Sequence, residues 1–279
     1  MMKKHLSIWL PALLLLVAVA ACSKDKRDYD WEKTINQDSP EAYRAYIAKH
    51  PDSQYLEMAK YHLERMVYRK AMNENTVAAY TRYLAEFPKG HWADNARNAR
   101  ATLISSQLRQ MPDDKLAAVR VRFETDRGAF TVRVFPDKAP LTSRNFVSLA
   151  AGGFYDGLTI HRVEPKLLVQ SGDPRGDSLG GPGYFIPFEN TGIKHVRGAL
   201  VMWHLPVDPN TAGSQFYICL ADLPDRDGKF AVFGEVVDGL PKLDEISQAE
   251  STGPKGSPPF QPKTPIKIVR TVTEGMEVK

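Results

Sequence analysis

Between Ile160 and Asp173 the chain reads IHRVEPKLLVQSGD, and this stretch carries the side chains best suited to act together on a ligand. A β-prone run exposes Arg162. After a Pro165-Lys166 turn come Leu167, Leu168 and Gln170, before a break at Gly172-Asp173. A cation, two apolar side chains and an amide within nine residues make a small pocket with polar edges, able to hold a neutral peptide group. A second group lies on the β-prone run QFYICL, where period-two alternation puts Gln215 and Tyr217 on one face and Phe216 and Ile218 on the other.

Other chemistries fit the residues less well. GDSLGGP (176–182) is similar to serine-hydrolase signatures, but no Asp-x-x-His lies near the C-terminus. The protease arrangement needs a catalytic histidine far upstream on a preceding barrel, and only about 60 residues separate the start of the β-rich region from Ser178. Its glycines instead suit a tight loop beside the pocket. His161, His195 and His204 lie on separate elements with no neighbouring Cys/His pair, so no metal site is expected. No cofactor is expected either. Cys219, within an apolar run, reads as a small buried hydrophobe.

The elements that must position these residues are mostly short strands. VRVRFETD (119–126) and AFTVRVF (129–135) alternate across a short turn as a hairpin. A helix follows over 142–151, capped by Thr142 or Ser143 and stopped at Gly152-Gly153. Further β-prone runs fall at 198–203, 215–220, 230–237 and 266–272, with a short helix near 240–248. Many short strands with closely spaced turns argue a closed antiparallel β-barrel.

Ahead of this region the chain is helical and repeats itself. SPEAYRAYIAKHPDSQYLEMA (39–59) lies over TVAAYTRYLAEFPKGHWADNA (76–96) at a constant offset of 37, aligning Tyr43 with Tyr80, Tyr46 with Tyr83, Pro51 with Pro88 and Tyr55 with Trp92. Each unit reads as two helices, with Ser39 and Thr76 as N-caps and Pro51 and Pro88 as stops. The pattern resembles tetratricopeptide-like helical repeats. Two units are fewer than such arrays usually need, so flanking helix or the next domain must cap them. Their aromatic residues read as packing between helices, with docking of an envelope protein partner as the other possibility.

At 279 residues, 25% charged and 43% hydrophobic, the composition is globular. Met1 to His5 form a basic start, Leu6 to Val19 an apolar stretch shorter than a bilayer span, and Val19-Ala20-Ala21 a small-residue cleavage site. Val19-Ala20-Ala21-Cys22 resembles a bacterial lipobox, which implies lipidation of Cys22; the alternative is an ordinary secretory signal with an incidental cysteine. Ser23 after Cys22 resembles the pattern that sorts to the outer membrane, facing the periplasm. Removal of Lys3 and Lys4 leaves 35 basic against 33 acidic residues, a net charge of +2 that gives no reason to expect nucleic acid. The expected plan is a signal peptide (1–21), a tether (22–37), a helical repeat domain (38–110) and a β-barrel domain (118–273) joined to the membrane by a lipid anchor.

From Phe123 to Gly176, and then in GGPGY, RGALVM, NTAGSQFYI and DGKFAVFGEVVDG, the chain resembles the cyclophilin-type peptidyl-prolyl cis-trans isomerases, with the motifs in order over roughly 118–273. The resemblance implies a closed antiparallel barrel with two capping helices, isomerisation of Xaa-Pro bonds and proline-containing polypeptides as substrates. It makes Arg162 the catalytic arginine and Gln170 the amide that holds the substrate backbone. Leu167, Leu168 and Tyr217 fall where the family lines its proline socket, and Met202, Trp203, His204, Gln215 and Phe230 join the substrate-binding set. His161 orders the strand and is counted with the substrate-binding set. The family's common Met-Ala-Asn or Met-Ala-Arg is Met202-Trp203-His204 here, and Asp225-Arg226 replace its usual Trp-Leu. Reduced activity and poor affinity for cyclosporin are therefore expected. A proline-segment-binding module without catalysis is the alternative, and a third possibility makes the repeats a rigid spacer only.

Overall fold

A computed structural model describes residues 26–276, so the 1–21 segment and Cys22 lie outside the described residues. The chain divides into two compact units, one ending at Met66 and the other running from Val67 onward.

In the first unit, helix α1 (Lys26–Gln37) occupies much of the stretch expected to be a tether. The helix has a physical cause: Trp31 is buried, stacks on Tyr55 with centroids 5.1 Å apart, and tilts against Tyr46 at 5.3 Å. Helix α2 (Pro40–Lys49) begins as expected, with the Ser39 hydroxyl accepting from Ala42 N–H at 3.2 Å. The boundary between the units falls within α3 (Leu56–Glu74).

The second unit opens with the second half of the repeat. Thr76 caps α4 (Val77–Glu86) by accepting from Ala79 N–H at 3.1 Å, and Trp92, which corresponds in the repeat to Tyr55, stacks on Tyr68 at 5.6 Å. Helix α5 (Ala93–Gln110) then leads through α6 (Asp113–Ala118), where a direct passage to strand was expected. Val77, Ile104, Leu108 and Leu116 are buried in the same apolar cluster as the sheet that follows. Arg144 seals the end of α5, its Nε donating to the Leu108 carbonyl at 3.1 Å and its Nη2 to that of Met111 at 2.9 Å.

The sheet contains β1 (Arg120–Thr125), β2 (Gly128–Val134), β3 (Thr159–Ile160), β4 (Arg162–Glu164), β5 (Leu168–Ser171), β6 (Ala199–Met202), β7 (Phe216–Cys219), β8 (Ala231–Asp238) and β9 (Ile266–Glu274). Its order is β3-β9-β1-β2-β8-β6-β7-β5-β4, and every pairing is antiparallel. Closure was expected, but no ladder joins the end strands β3 and β4. They are consecutive pieces of one segment broken at His161, β3 paired to β9 and β4 to β5, so the row of strands ends on both sides in the same stretch of chain. Helices α7 (Pro140–Ala151) and α8 (Leu240–Ser247) pack on the sheet.

Aromatic rings fill the interior. Phe146 meets Phe216 at 5.3 Å and Phe233 at 5.1 Å, while Phe123 stacks on Phe130 at 4.9 Å. The start of α7 differs from expectation, because Thr142 and Ser143 lie inside the helix and Ala139 precedes it without a side-chain cap. Glu189 does the capping from another part of the chain: its carboxylate accepts from Leu141 N–H at 3.0 Å, Thr142 N–H at 2.8 Å and the Thr142 hydroxyl at 2.7 Å. Glu189→Ala is expected to lower stability by about 1–2 kcal/mol, the scale of a lost N-cap, measured as a reduced urea midpoint at unchanged slope.

Candidate active site

Strand register gathers the central residues of the site. Arg162 pairs with Gln170 across β4 and β5, Gln170 with Tyr217 on β7, Tyr217 with Val201 on β6, and Val201 with Val232 on β8. Directly opposed residues share a face, so Arg162, Gln170 and Tyr217 form one row. Phe216 and Ile218 point into the main aromatic core, while Tyr217 and Cys219 join a second cluster on the opposite face with Leu168, Ala199, Val201 and Val232. The alternation read from QFYICL is the one observed.

Two amides form a relay at the centre. Gln170, 1% exposed, donates from Nε2 to Gln215 Oε1 at 3.0 Å, and Gln215 Nε2 donates to the Gly180 carbonyl at 2.8 Å. Gly172 lets β5 leave this point at φ +90°, where a Cβ would lie 2.2 Å from the Ser214 carbonyl. The glycines of GDSLGGP serve the same loop: a Cβ on Gly180 would fall 1.9 Å from Asp173 Oδ1. Asp177 accepts from Leu179 N–H at 2.9 Å, turning the segment back toward Gln215. The resemblance to a hydrolase signature therefore has a structural origin in loop geometry.

Arg162 is held from two sides that sequence reasoning missed. Its Nη2 pairs with Glu164, and its guanidinium carbon sits 5.8 Å from the centroid of Phe260. The side chain is 22% exposed, and its guanidinium Nε is buried. Glu164 was detectable, since two residues along a strand returns to the same face. Phe260 carried no local signal. It arrives from a distant loop whose backbone carbonyl accepts from Val163 N–H at 2.9 Å.

Tyr217 is fully buried beneath neighbours the family pattern does not include. Arg226 lies over its ring at 5.2 Å; Trp203 and Phe230, stacked on each other at 5.4 Å, flank it at 6.5 and 5.9 Å. Burial pushes its ionisation well above the ordinary tyrosine value, with Arg226 opposing. Leu168 is buried in the same cluster, with Leu167 packed at its edge. Burial also raises the Cys219 thiol to about 12, which leaves it protonated and unreactive at neutral pH.

Two members of the expected substrate-binding set are committed elsewhere. Met202 faces the main core beside Leu200, because β6 alternation sends Val201 rather than Met202 to the Tyr217 side. His204 has Nε2 against the Lys229 carbonyl and Nδ1 against the Leu205 carbonyl, both at 2.9 Å, and stacks on Phe230 at 4.5 Å. Its side chain anchors the loop. A cleft of about 410 Å³ opens beside Gln215, walled by Trp203, His204 and the Gly180–Phe185 loop. Arg162 and Gln170 stand outside its walls. Among the described residues, no three His, Cys, Asp or Glu side chains converge on a metal-sized site.

A surface offering one cation, a paired amide relay and apolar walls, with its thiol held protonated by burial, suits polarisation of a bound peptide rather than covalent attack on it. Residues 120–273 match the sequence profile of the family described as cyclophilin type peptidyl-prolyl cis-trans isomerase/CLD, and the chain belongs to that family. It is 46% identical over 115 residues to a peptidyl-prolyl cis-trans isomerase of Synechococcus elongatus, covering 41% of this chain and 78% of the relative. A peptidyl-prolyl cis-trans isomerase of Helicobacter pylori is 42% identical over 131 residues, covering 46% and 79%. Among solved structures, a cyclophilin type peptidyl-prolyl cis-trans isomerase of Cryptosporidium parvum superposes with a TM-score of 0.51 at 30% identity, covering 56% of this chain and 96% of that one. The same protein crystallised in the presence of the dipeptide Ala-Pro gives 0.50 at 31% identity, covering 55% and 97%.

His161 adds a pH dependence to this face. It is 3% exposed, both ring nitrogens lack partners, and burial lowers its pKa to about 4, with Asp173 opposing and the Arg162 charge adding to the drop. Between its ordinary value of 6.5 and about 4 the unfolded chain binds a proton that the fold does not. Stability therefore falls as pH drops through that window, by at most about 1.4 kcal/mol per pH unit from this group. His195, also lowered chiefly by burial, contributes in the same direction. His161→Asn is expected to flatten this part of the curve in denaturant titrations at stepped pH. An unchanged slope would remove His161 as the cause.

Proposed function

We propose that this peptidyl-prolyl cis-trans isomerase turns Xaa-Pro bonds of exported proteins on the Arg162 face, from a position tethered to the cell envelope. The observation that carries the assignment of roles is the row Arg162–Gln170–Tyr217 with Gln215 locked to Gln170.

Rotation about an amide must overcome roughly 18–20 kcal/mol, because the nitrogen lone pair is delocalised into the carbonyl. For Xaa-Pro bonds both isomers are populated, and exchange is slow enough to limit folding. Arg162 supplies the charge that favours a localised lone pair on the proline nitrogen as the bond twists. Gln170 and Gln215 hold the flanking backbone still, and Leu167, Trp203 and Phe230 provide apolar contact for the ring. Such groups accelerate the step only as far as they bind the twisted amide better than the planar one. Arg226 over Tyr217 leaves less depth for a proline ring than an open floor would, which supports a slower enzyme. The Ala-Pro dipeptide named for one structural relative is consistent with proline-containing peptides as ligands here.

The envelope assignment rests on sequence. The lipobox-like Val19-Ala20-Ala21-Cys22 and the following Ser23 support lipidation of Cys22 and an outer-membrane location facing the periplasm. The offset of 37 and the paired Ser39 and Thr76 caps support tetratricopeptide-like repeats whose aromatic residues pack between helices, with docking of an envelope partner as the second reading.

Arg162→Ala is expected to slow isomerisation of a proline-containing peptide by an order of magnitude or more, on the scale of removing one transition-state donor. NMR exchange spectroscopy measures it directly, and equal exchange rates in wild type and variant would refute the role given to Arg162. A pure binder would instead shift peptide resonances without speeding exchange. Cys22→Ser in the full chain is expected to move the protein from the membrane to the soluble fraction; unaltered fractionation would exclude the lipid anchor.

A further inference from the structure

The cleft beside Gln215 shares a wall with a second and larger crevice. Pro182 and Tyr184 line both; on their far side a space of about 690 Å³ opens between α5 and α7, within the size range of ligand-binding clefts. From α5 it is bounded by Asn98, Ala101, Thr102 and Ser105, positions i, i+3, i+4 and i+7 of one helix face. Short side chains there, with Gly152 and Gly153 opposite, keep the space open. Ser105 and Ser148 meet across its floor at 2.8 Å.

The ridge between the two spaces is fixed in place. Tyr184 Oη donates to Asn145 Oδ1 at 2.7 Å, and Asn145 Nδ2 donates to the Gly213 carbonyl at 2.6 Å. Pro182 packs so closely on Gly213 that a Cβ there would lie 2.8 Å from its Cδ. Phe185, 68% exposed, and Leu179 offer apolar surface on the Gln215 side. Arg97 and Arg109, both exposed, line the α5 side.

We propose that the α5–α7 crevice is a second subsite for the same extended polypeptide whose proline sits on the Arg162 face. The inference rests on the isomerase role of that face. Its support is adjacency: only the ridge of Pro182 and Tyr184 separates the crevice from the cleft at Gln215, so an extended segment that crosses this ridge enters it. Ala101, Leu149, Phe154 and Pro182 give the walls apolar surface suited to small or apolar side chains, with an acidic residue set against Arg109, since Arg97 is already paired with Asp94 and the Pro88 carbonyl. Helix α5 thereby becomes part of the client-binding surface of the enzyme.

The test compares two peptides on the same protein: a blocked tetrapeptide with an Ala-Pro core, and that core extended on both sides by about five residues including Leu and Glu, enough extended chain to leave the catalytic face. Isothermal titration is expected to show the long peptide binding roughly tenfold tighter or more. Ala101→Trp and, separately, Thr102→Trp place a bulky ring in the crevice from exposed positions of α5. Each is expected to abolish the gain while leaving tetrapeptide affinity unchanged, which also verifies the fold. Equal affinities for the two peptides, or a gain that survives both substitutions, would overturn the proposal. Absence of tetrapeptide turnover in the wild type would strike the isomerase role instead, because the length comparison reads binding alone.

Discussion

Register between β4, β5 and β7 is the constraint on which the site depends. Each strand is short, and one face of each looks into a packed aromatic core, so a slip of one residue would turn Gln170 and Tyr217 inward and Phe216 outward. The core forbids that exchange. It would have to accept a buried amide without partners in place of Phe216, which meets Phe146, Tyr155 and Phe123 at 5.3–5.5 Å. The chemistry of the outer face is thus specified by the packing of the inner one.

Much of this was legible because it is periodic or local. Alternation in QFYICL separated Tyr217 from Phe216, and Ser39 and Thr76 announced their helices because an N-cap is a short-range device. The order of motifs carried the family, and with it Arg162 and Gln170. What escaped was long-range. Glu189 caps a helix that begins nearly fifty residues earlier; Phe260 reaches Arg162 from the far end of the domain. Trp31 turned a polar stretch into helix only through partners it meets in the fold. Met202 differs for another reason: β6 alternation turns it into the main core and gives the Tyr217 side to Val201.

The departures from the family pattern change the site in a consistent direction. Arg226, Trp203 and Phe230 together bury Tyr217, exchanging an open apolar floor for a layered aromatic and cationic wall. A cleft of about 410 Å³ lies beside Gln215, and Arg162 stands outside its walls. The surface charge is local, since Arg162 is answered by Glu164 two residues away.

Strand β9 has a consequence for how the molecule is made. It lies between β1 and β3, so the last strand of the sheet in chain order completes pairings with the first and with the segment that bears Arg162. Until β9 arrives, β1 lacks one of its two strand partners and β3 lacks the strand it pairs with. Contacts so distant in sequence slow folding and expose strand edges while it proceeds. A chain emerging N-terminus first would therefore hold β1 and the Ile160 segment with open edges until β9 follows, ready to pair with neighbours. An enzyme suited to hastening the folding of other chains is itself a late finisher, dependent on β9.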